Sequence, residues 1–257
     1  MKIVVFRKNA IIAAVLLVVV TLAAVVFSGS IVESAMSTTA ATRSLPIYSV
    51  QRNDNKASVS FDAAWGNEDT QQIIDILAKY DVKATFFVVG EWVDKYPESV
   101  KALADAGHEI MNHSNTHPHM TKLSKEKMKE ELTECNNKIE AVTGVKPTLF
   151  RAPFGDYNNE VIQTIRECGC YTIQWDVDSL DWKDLSAGEI TKRVTERLAP
   201  GSIVLFHNAA KNTPEALPLI LTMVREEGYT LVPISQLIYT ENYKIDNSGR
   251  QINCEEN

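Results

Sequence analysis

The residues in this sequence with chemical reach are carboxylates, imidazoles and one guanidinium, gathered in five short segments. Asp62 lies in Ser60-Phe61-Asp62-Ala63-Ala64-Trp65-Gly66. His113 and His117 bracket His-Ser-Asn-Thr-His, and Arg151 opens Arg-Ala-Pro-Phe154-Gly. Asp176, Asp178 and Asp181 are packed between Trp175 and Trp182, and His207 follows Leu205-Phe206. A carboxylate can take a proton from water, and an imidazole can return one near neutral pH. Two imidazoles four residues apart can share a divalent metal if the segment turns helically. Two histidines alone do not complete a zinc site, which normally has three protein ligands and an open position.

Each of these segments begins where an apolar strand stops. Alternating or β-branched runs predict strands over residues 56–61, 84–89, 109–112, 148–150, 171–175, 202–206 and 230–232. Helical spacing, caps and terminal glycines predict helices over 70–80, 97–106, 124–143, 158–168, 186–198, 213–227 and 235–238. Ser124 is a plausible cap and Gly144 a stop for the longest of them. Strands alternating with helices mean an α/β fold with a parallel sheet, as a closed or distorted barrel or a doubly wound sheet. Either gathers chemistry at the carboxyl ends of the strands. One strand-end Asp is usually a turn former; five strands that all end in titratable or cationic groups point to one shared site.

The chain has 257 residues, with 26 basic and 33 acidic side chains for a formal charge of −7. Residues 1–44 are positive (Lys2, Arg7, Lys8 and Arg43 against Glu33), so the remainder carries −10. An acidic body lacks the basic footprint of a nucleic-acid binder. Eleven Gly and nine Pro exclude a collagen-like chain, and four Cys exclude a disulfide-dense one. Cys168 and Cys170 flank Gly169 at a spacing that suits a disulfide poorly, so buried free thiols are expected.

Residues 10–27 are apolar except for Thr21. As a helix they would extend about 27 Å, close to the ~30 Å hydrocarbon core of a bilayer. The preceding basic residues predict a cytoplasmic amino end and an external body, a single-pass protein of the cell membrane. The run exceeds the 7–15 apolar residues of a secretory signal. The alternative is cleavage at the small residues Ser28, Gly29 and Ser30, followed by secretion. The expected organisation is therefore an anchor or signal over 1–28, a linker over 29–45, a catalytic-type domain over 46–240 and a polar, unpatterned tail over 241–257.

The ordered series SFDAAWG, HSNTH, RAPFG, WDVDSLDW and LFH resembles the five motifs of the polysaccharide deacetylases, the NodB homology domain of carbohydrate esterase family 4. The likeness spans residues 57–237, and the anchor and first motif look most like the sporulation-associated PdaB-like group. The resemblance implies a distorted (β/α) barrel of about seven parallel strands that hydrolyses the acetamide of N-acetylglucosamine-type sugars. It also implies a role for each matching residue. Asp62 is the base, and Arg151 pairs with it. His113 and His117 are metal ligands. His207 is the general acid, tuned by Asp181. The Phe154 backbone N–H serves the oxyanion, and Trp182 and Leu205 wall the pocket. The implied cofactor is a divalent metal, zinc by expectation. The implied substrate is an N-acetylated glycan, peptidoglycan-like or chitin-like.

One position departs from the pattern. Where the family's first motif carries a second aspartate as metal ligand, this chain has Ala63. Three readings follow: Asp62 is itself the third ligand, water fills the gap in a weak site, or the domain binds glycan without catalysis. Glu68 and Asp69 are near enough in sequence to substitute.

Overall fold

The computed structural model describes residues 43–254, together with Leu17 and Thr21. Apart from Leu17 and Thr21, the apolar run at 10–27 lies outside the described residues, and so do the anchor and signal expectations built on it. Among the described residues no helix is long and apolar enough to cross a membrane.

The central strand is β2 (Lys56–Ala63), and its sequence shows how the site is built. Its residues alternate small polar with apolar, and both faces are buried. Val59, Phe61 and Ala63 face a layer of helices, with the Phe61 ring stacked 4.8 Å from Phe86 and 5.4 Å from Phe206. Ser58, Ser60 and Asp62 take the opposite face, toward the interior of the curled sheet. There the Ser58 and Ser60 hydroxyls donate to the carbonyls of Val232 and Val204. The polar residues of this strand therefore line a protein interior and not a solvated face.

Around β2 run β3 (Thr85–Val88), β4 (Glu109–Asn112), β5 (Leu149–Phe150) and β6 (Tyr171–Thr172) on one side, with β7 (Val177–Asp178) and β8 (Ile203–His207) on the other. The order is β6-β5-β4-β3-β2-β8-β7, all parallel, with β9 (Thr230–Leu231) also paired to β2. The sheet is an open, curled barrel, and chain length explains the curl. β6 and β7 lie at opposite ends of the path, yet only residues 173–176 separate them. Five extended steps reach about 17 Å, whereas seven strands laid flat span about 29 Å. The sheet must bend until its ends meet that short link. The strand expected over 171–175 therefore stops at Thr172, and the chain crosses to the opposite edge before it pairs again as β7.

The helices are α1 (Thr70–Lys79), α2 (Gly90–Lys95), α3 (Pro97–Asp105), α4 (Lys125–Thr143), α5 (Asn159–Glu167), α6 (Ala187–Thr195), α7 (Thr213–Glu226) and the short α8 (Ile234–Leu237). In α4 the Ser124 hydroxyl accepts from Lys127 N–H, and Gly144 ends the helix at φ 73°. Its buried stripe is Met128, Leu132, Cys135, Asn136 and Ile139. Each fully buried apolar side chain there contributes about 1.5–3 kcal/mol, and Leu132→Ala would cost about 2–5 kcal/mol. The stripe also fixes β4, because Asn112 Nδ2 donates to Leu132 O and Asn136 Oδ1 at 2.9 and 2.7 Å. Ile234 and Leu237 of α8 pack with Phe87, Met111 and Ile203 in the barrel interior.

The segment expected to be an unpatterned tail folds onto the domain. β10 (Tyr243–Ile245) and β11 (Arg250–Asn253) form an antiparallel hairpin, and β11 pairs in parallel with β1 (Ser49–Val50). Gly249 turns at φ 83° against Tyr48, where a Cβ would collide with the ring. Ser44–Asn257 group as one compact unit.

Candidate functional site

Asp62 and His207 stand at the ends of β2 and β8 as Cα partners. Around them opens a cavity of about 510 Å³ that His113, His117, Trp182 and Leu205 also line. The sequence-predicted residues are therefore brought to one place. Arg151 and Asp181 stand behind the cavity and hold its walls.

Arg151 follows β5 directly and is wholly buried. Its Nη1 donates to Asp62 Oδ1 at 2.7 Å, and its Nη2 donates to Ser60 Oγ at 2.9 Å and Gln174 O at 3.2 Å. The guanidinium lies 4.1 Å from the Phe87 ring centroid and 5.5 Å from that of Trp175. Burial alone would raise the Asp62 carboxyl, but Arg151, with His113 and His207, outweighs it and holds the group below its ordinary value. Asp62 is thus ionised at neutral pH and aimed into the cavity, as a proton acceptor must be.

The His-Ser-Asn-Thr-His segment is not helical. Ser114 and His117 take left-handed φ of 68° and 59°. The loop is held from outside: Glu131 accepts from Asn115 N–H, Thr116 N–H and Thr116 Oγ1, and Gly90 N–H donates to Ser114 O. A Cβ at Gly90 would collide with Asn115. The loop's own folding, and not helical periodicity, brings the two imidazoles to 5.0 Å between centroids. His113 Nδ1 bonds Arg151 O at 2.8 Å, which turns Nε2 toward Asp62 Oδ2 at 3.6 Å. Burial lowers the pKa of His113, and burial with the neighbouring His113 lowers that of His117 to about 4. Both rings are neutral at pH 7, suited to donate lone pairs and unsuited to act as acids.

His207 is the reverse case. Its Nδ1 is 2.8 Å from Asp181 Oδ1. Asp181 also accepts from His207 N–H, Thr213 Oγ1 and Trp182 N–H at 2.8, 2.8 and 2.9 Å. Burial pulls the imidazole down, but Asp181 first, then Asp62 and Asp178, raise it above its ordinary value. His207 is therefore suited to hold a proton near neutral pH.

The implied metal does not fit the residues present. Asp62 Oδ1 is held by Arg151 while Oδ2 faces His113 Nε2, and Ala63 packs in the sheet–helix layer, so a methyl stands where the family pattern has its carboxylate ligand. Among the described residues no three His, Cys, Asp or Glu side chains gather to hold an ion. Nor do Glu68 or Asp69 make good the deficit: neither lines the cavity, and Asp69 instead accepts from Ala209 N–H at 2.9 Å.

Three exposed aromatics rim the opening, Trp65 at 63%, Phe154 at 61% and Trp182 at 57%. Phe154, at φ 60°, stacks 4.3 Å from His119 and meets His117 edge-on at 4.5 Å. Leu205 is buried in the wall. Sequence reasoning assigned no role to several residues that shape this site: Trp65, Trp175, Asp178, Ser60, Thr213 and Asn208. Trp65 and Asp178 sit inside the quoted segments, and the polar alternation of β2 flags Ser60. Asn208 has no sequence signal. It closes two loops together by accepting from Ala64 N–H and donating to Gly66 O.

A family model described as polysaccharide deacetylase matches residues 49–173. Among curated proteins, the chain is 37% identical to the uncharacterized protein YlxY of Bacillus subtilis over 195 residues, 75% of this chain and 60% of that one. It is 35% identical to the peptidoglycan-N-acetylglucosamine deacetylase PgdA of Listeria monocytogenes over 194 residues, 76% of this chain and 41% of that one. The chain thus spans less than two thirds of these relatives. Among solved structures, BA3943 of Bacillus anthracis, described as a CE4 family pseudoenzyme, matches with a TM-score of 0.72 at 38% identity, covering 75% of this chain and 68% of that one. A BA3943 mutant described as having restored enzymatic activity matches with 0.73 at 40% identity, covering 75% and 70%.

Proposed function

The chain belongs to the polysaccharide deacetylase family, and on that premise we propose that it hydrolyses the acetamide groups of an N-acetylated cell-wall glycan. The observation that carries this reading is the pairing of Asp62 with His207 across one cavity, each backed by its own charged partner. Asp62 takes a proton from a water that attacks the acetamide carbon. His207 gives its proton to the nitrogen as the C–N bond breaks, leaving a free amine and acetate. The Phe154 N–H is the proposed donor to the oxyanion, and Trp182 and Leu205 hold the sugar. With no third metal donor the carbonyl is weakly activated, so turnover is slow.

A second reading, glycan recognition without hydrolysis, is favoured by Ala63 and by the likeness to a pseudoenzyme. The proposed location is the outer face of the cell membrane, and its support is the apolar run at 10–27 with its basic flank. A role in sporulation rests on motif resemblance.

The test is acetate release from acetylated peptidoglycan and chitin fragments, with added divalent cation and with chelator. Release above the uncatalysed rate supports hydrolysis. Saturable glycan binding without release supports recognition alone.

A further inference from the structure

Five ionisable side chains line the cavity: Asp62, His113, His117, Asp178 and His207. No Lys or Arg is among the described lining residues. Arg151 answers the charge of Asp62, and Asp181 answers His207. Among the described residues Asp178 makes no ion pair, although its charge, with that of Asp62, adds to the field that raises His207. It sits on β7 beside Leu205, and its Oδ1 accepts from Leu180 N–H at 2.9 Å. Arg193 donates to the backbone carbonyl of Asp178 and not to its carboxylate. Lys183 lies over the Trp182 ring at 4.8 Å and is not a lining residue. Counted with their partners, three carboxylates face two cations, and the excess charge belongs to Asp178.

An amino sugar stacks its apolar face on aromatic rings and presents neighbouring hydroxyls, which a carboxylate accepts well. A sugar whose hydroxyl is etherified with lactate loses that donor and gains an anion. We propose that this cavity selects uncharged N-acetylated amino-sugar units over carboxylate-bearing muramyl units, and that Asp178 is the specificity-determining residue. This rests on the glycan reading above. Asp178 accepts hydroxyl hydrogen bonds from the neutral sugar and repels the lactyl carboxylate, a like-charge juxtaposition that rejects wrong partners.

The test uses the full chain in a zwitterionic detergent, with the tryptophan fluorescence of the cavity as readout. The probes are chitotetraose and a muramyl disaccharide, the latter prepared both as its free carboxylate and as its uncharged methylamide. At pH 7 and low salt the methylamide should bind about tenfold more tightly than the carboxylate, a gap that salt reduces. Asp178→Asn, which can still accept from Leu180, should close the gap, and Asp178→Glu should keep it. Equal binding of the two forms by the wild-type chain, or a gap that survives in Asp178→Asn, overturns the inference while leaving glycan binding intact. Failure to bind chitotetraose or either disaccharide overturns the glycan reading and this inference with it.

Discussion

Asp62 and His207 are directly opposite each other on neighbouring parallel strands, and Asn208 N–H donates to Asp62 O at 3.1 Å just beyond them. The two proton-handling groups thus share one backbone ladder, and their separation is set by strand pairing and not by loops.

Arg151→Met should destabilise the protein by about 3–5 kcal/mol, because it leaves the buried Asp62 carboxylate without its counter-charge. Urea unfolding measures this. A loss below about 1 kcal/mol, the range of exposed pairs, would mean that the pair is not buried in solution.

The pH dependence follows from two opposite shifts. Asp62 is held below its ordinary 3.8, so its stabilising contribution is present above that value and is lost as pH falls through the depressed one. His207 is held above 6.5, so its contribution is complete below 6.5 and is lost as pH rises through the raised value. Hydrolysis needs Asp62 ionised and His207 protonated, so its alkaline limb should follow His207. Asp181→Asn removes the chief raising partner and should move that limb to lower pH. A pH–rate profile with an unmoved limb would assign the acid to another group.

Ala63→Asp would place a carboxylate in a fully buried position, and an unpaired buried charge is costly. The variant should melt below the wild type in chelator. If the end of β2 turns the new carboxylate out of the helix layer toward His113 and His117, the variant regains stability in micromolar zinc by linkage, with faster acetate release. Calorimetric scans with and without zinc check this; a variant that zinc does not stabilise would show that a carboxylate at 63 does not complete a metal shell.

Asn208→Ala removes both side-chain bonds that join the Trp65 loop to the end of β8. The expected cost is about 1–3 kcal/mol, from the Ala64 N–H left unpaired, since Gly66 O keeps its bond from Trp92 Nε1. Weaker glycan binding should accompany it. Hydrogen exchange at the Ala64 N–H should be faster in the variant; an unchanged rate would show that Asn208 does not hold the loop.

What the sequence made legible tracks how locally each element is encoded. α4 begins and ends where a capping Ser124 and a left-handed Gly144 dictate, and both are visible without tertiary knowledge. α2 escaped notice because it starts straight from β3 with no side-chain cap, at a glycine required by contact with Asn115. The early end of the strand expected over 171–175 is invisible locally, since the curl of the whole sheet decides where the chain crosses from β6 to β7. The site residues were readable because each ends an apolar strand and the five motifs stand in order. The Thr213 hydroxyl, the Asn208 amide and the Gln174 backbone carbonyl that brace them carry no local pattern. The two histidines come together without the helical turn that their spacing allows, because left-handed residues at Ser114 and His117 turn the chain another way.

The place of β2 at the centre of the sheet has a consequence for how the protein is made. An early strand is bounded by one of the last, and Ser60 reaches Val204 across 144 positions of the chain. Such non-local pairing slows folding. A ribosome or export channel delivers the amino-terminal partner first, and β2 must wait with one edge unpaired until β8 emerges. A chain truncated before residue 207 has neither a closed sheet nor an acid opposite its base. Assembly of the site therefore reports that almost the entire polypeptide has arrived.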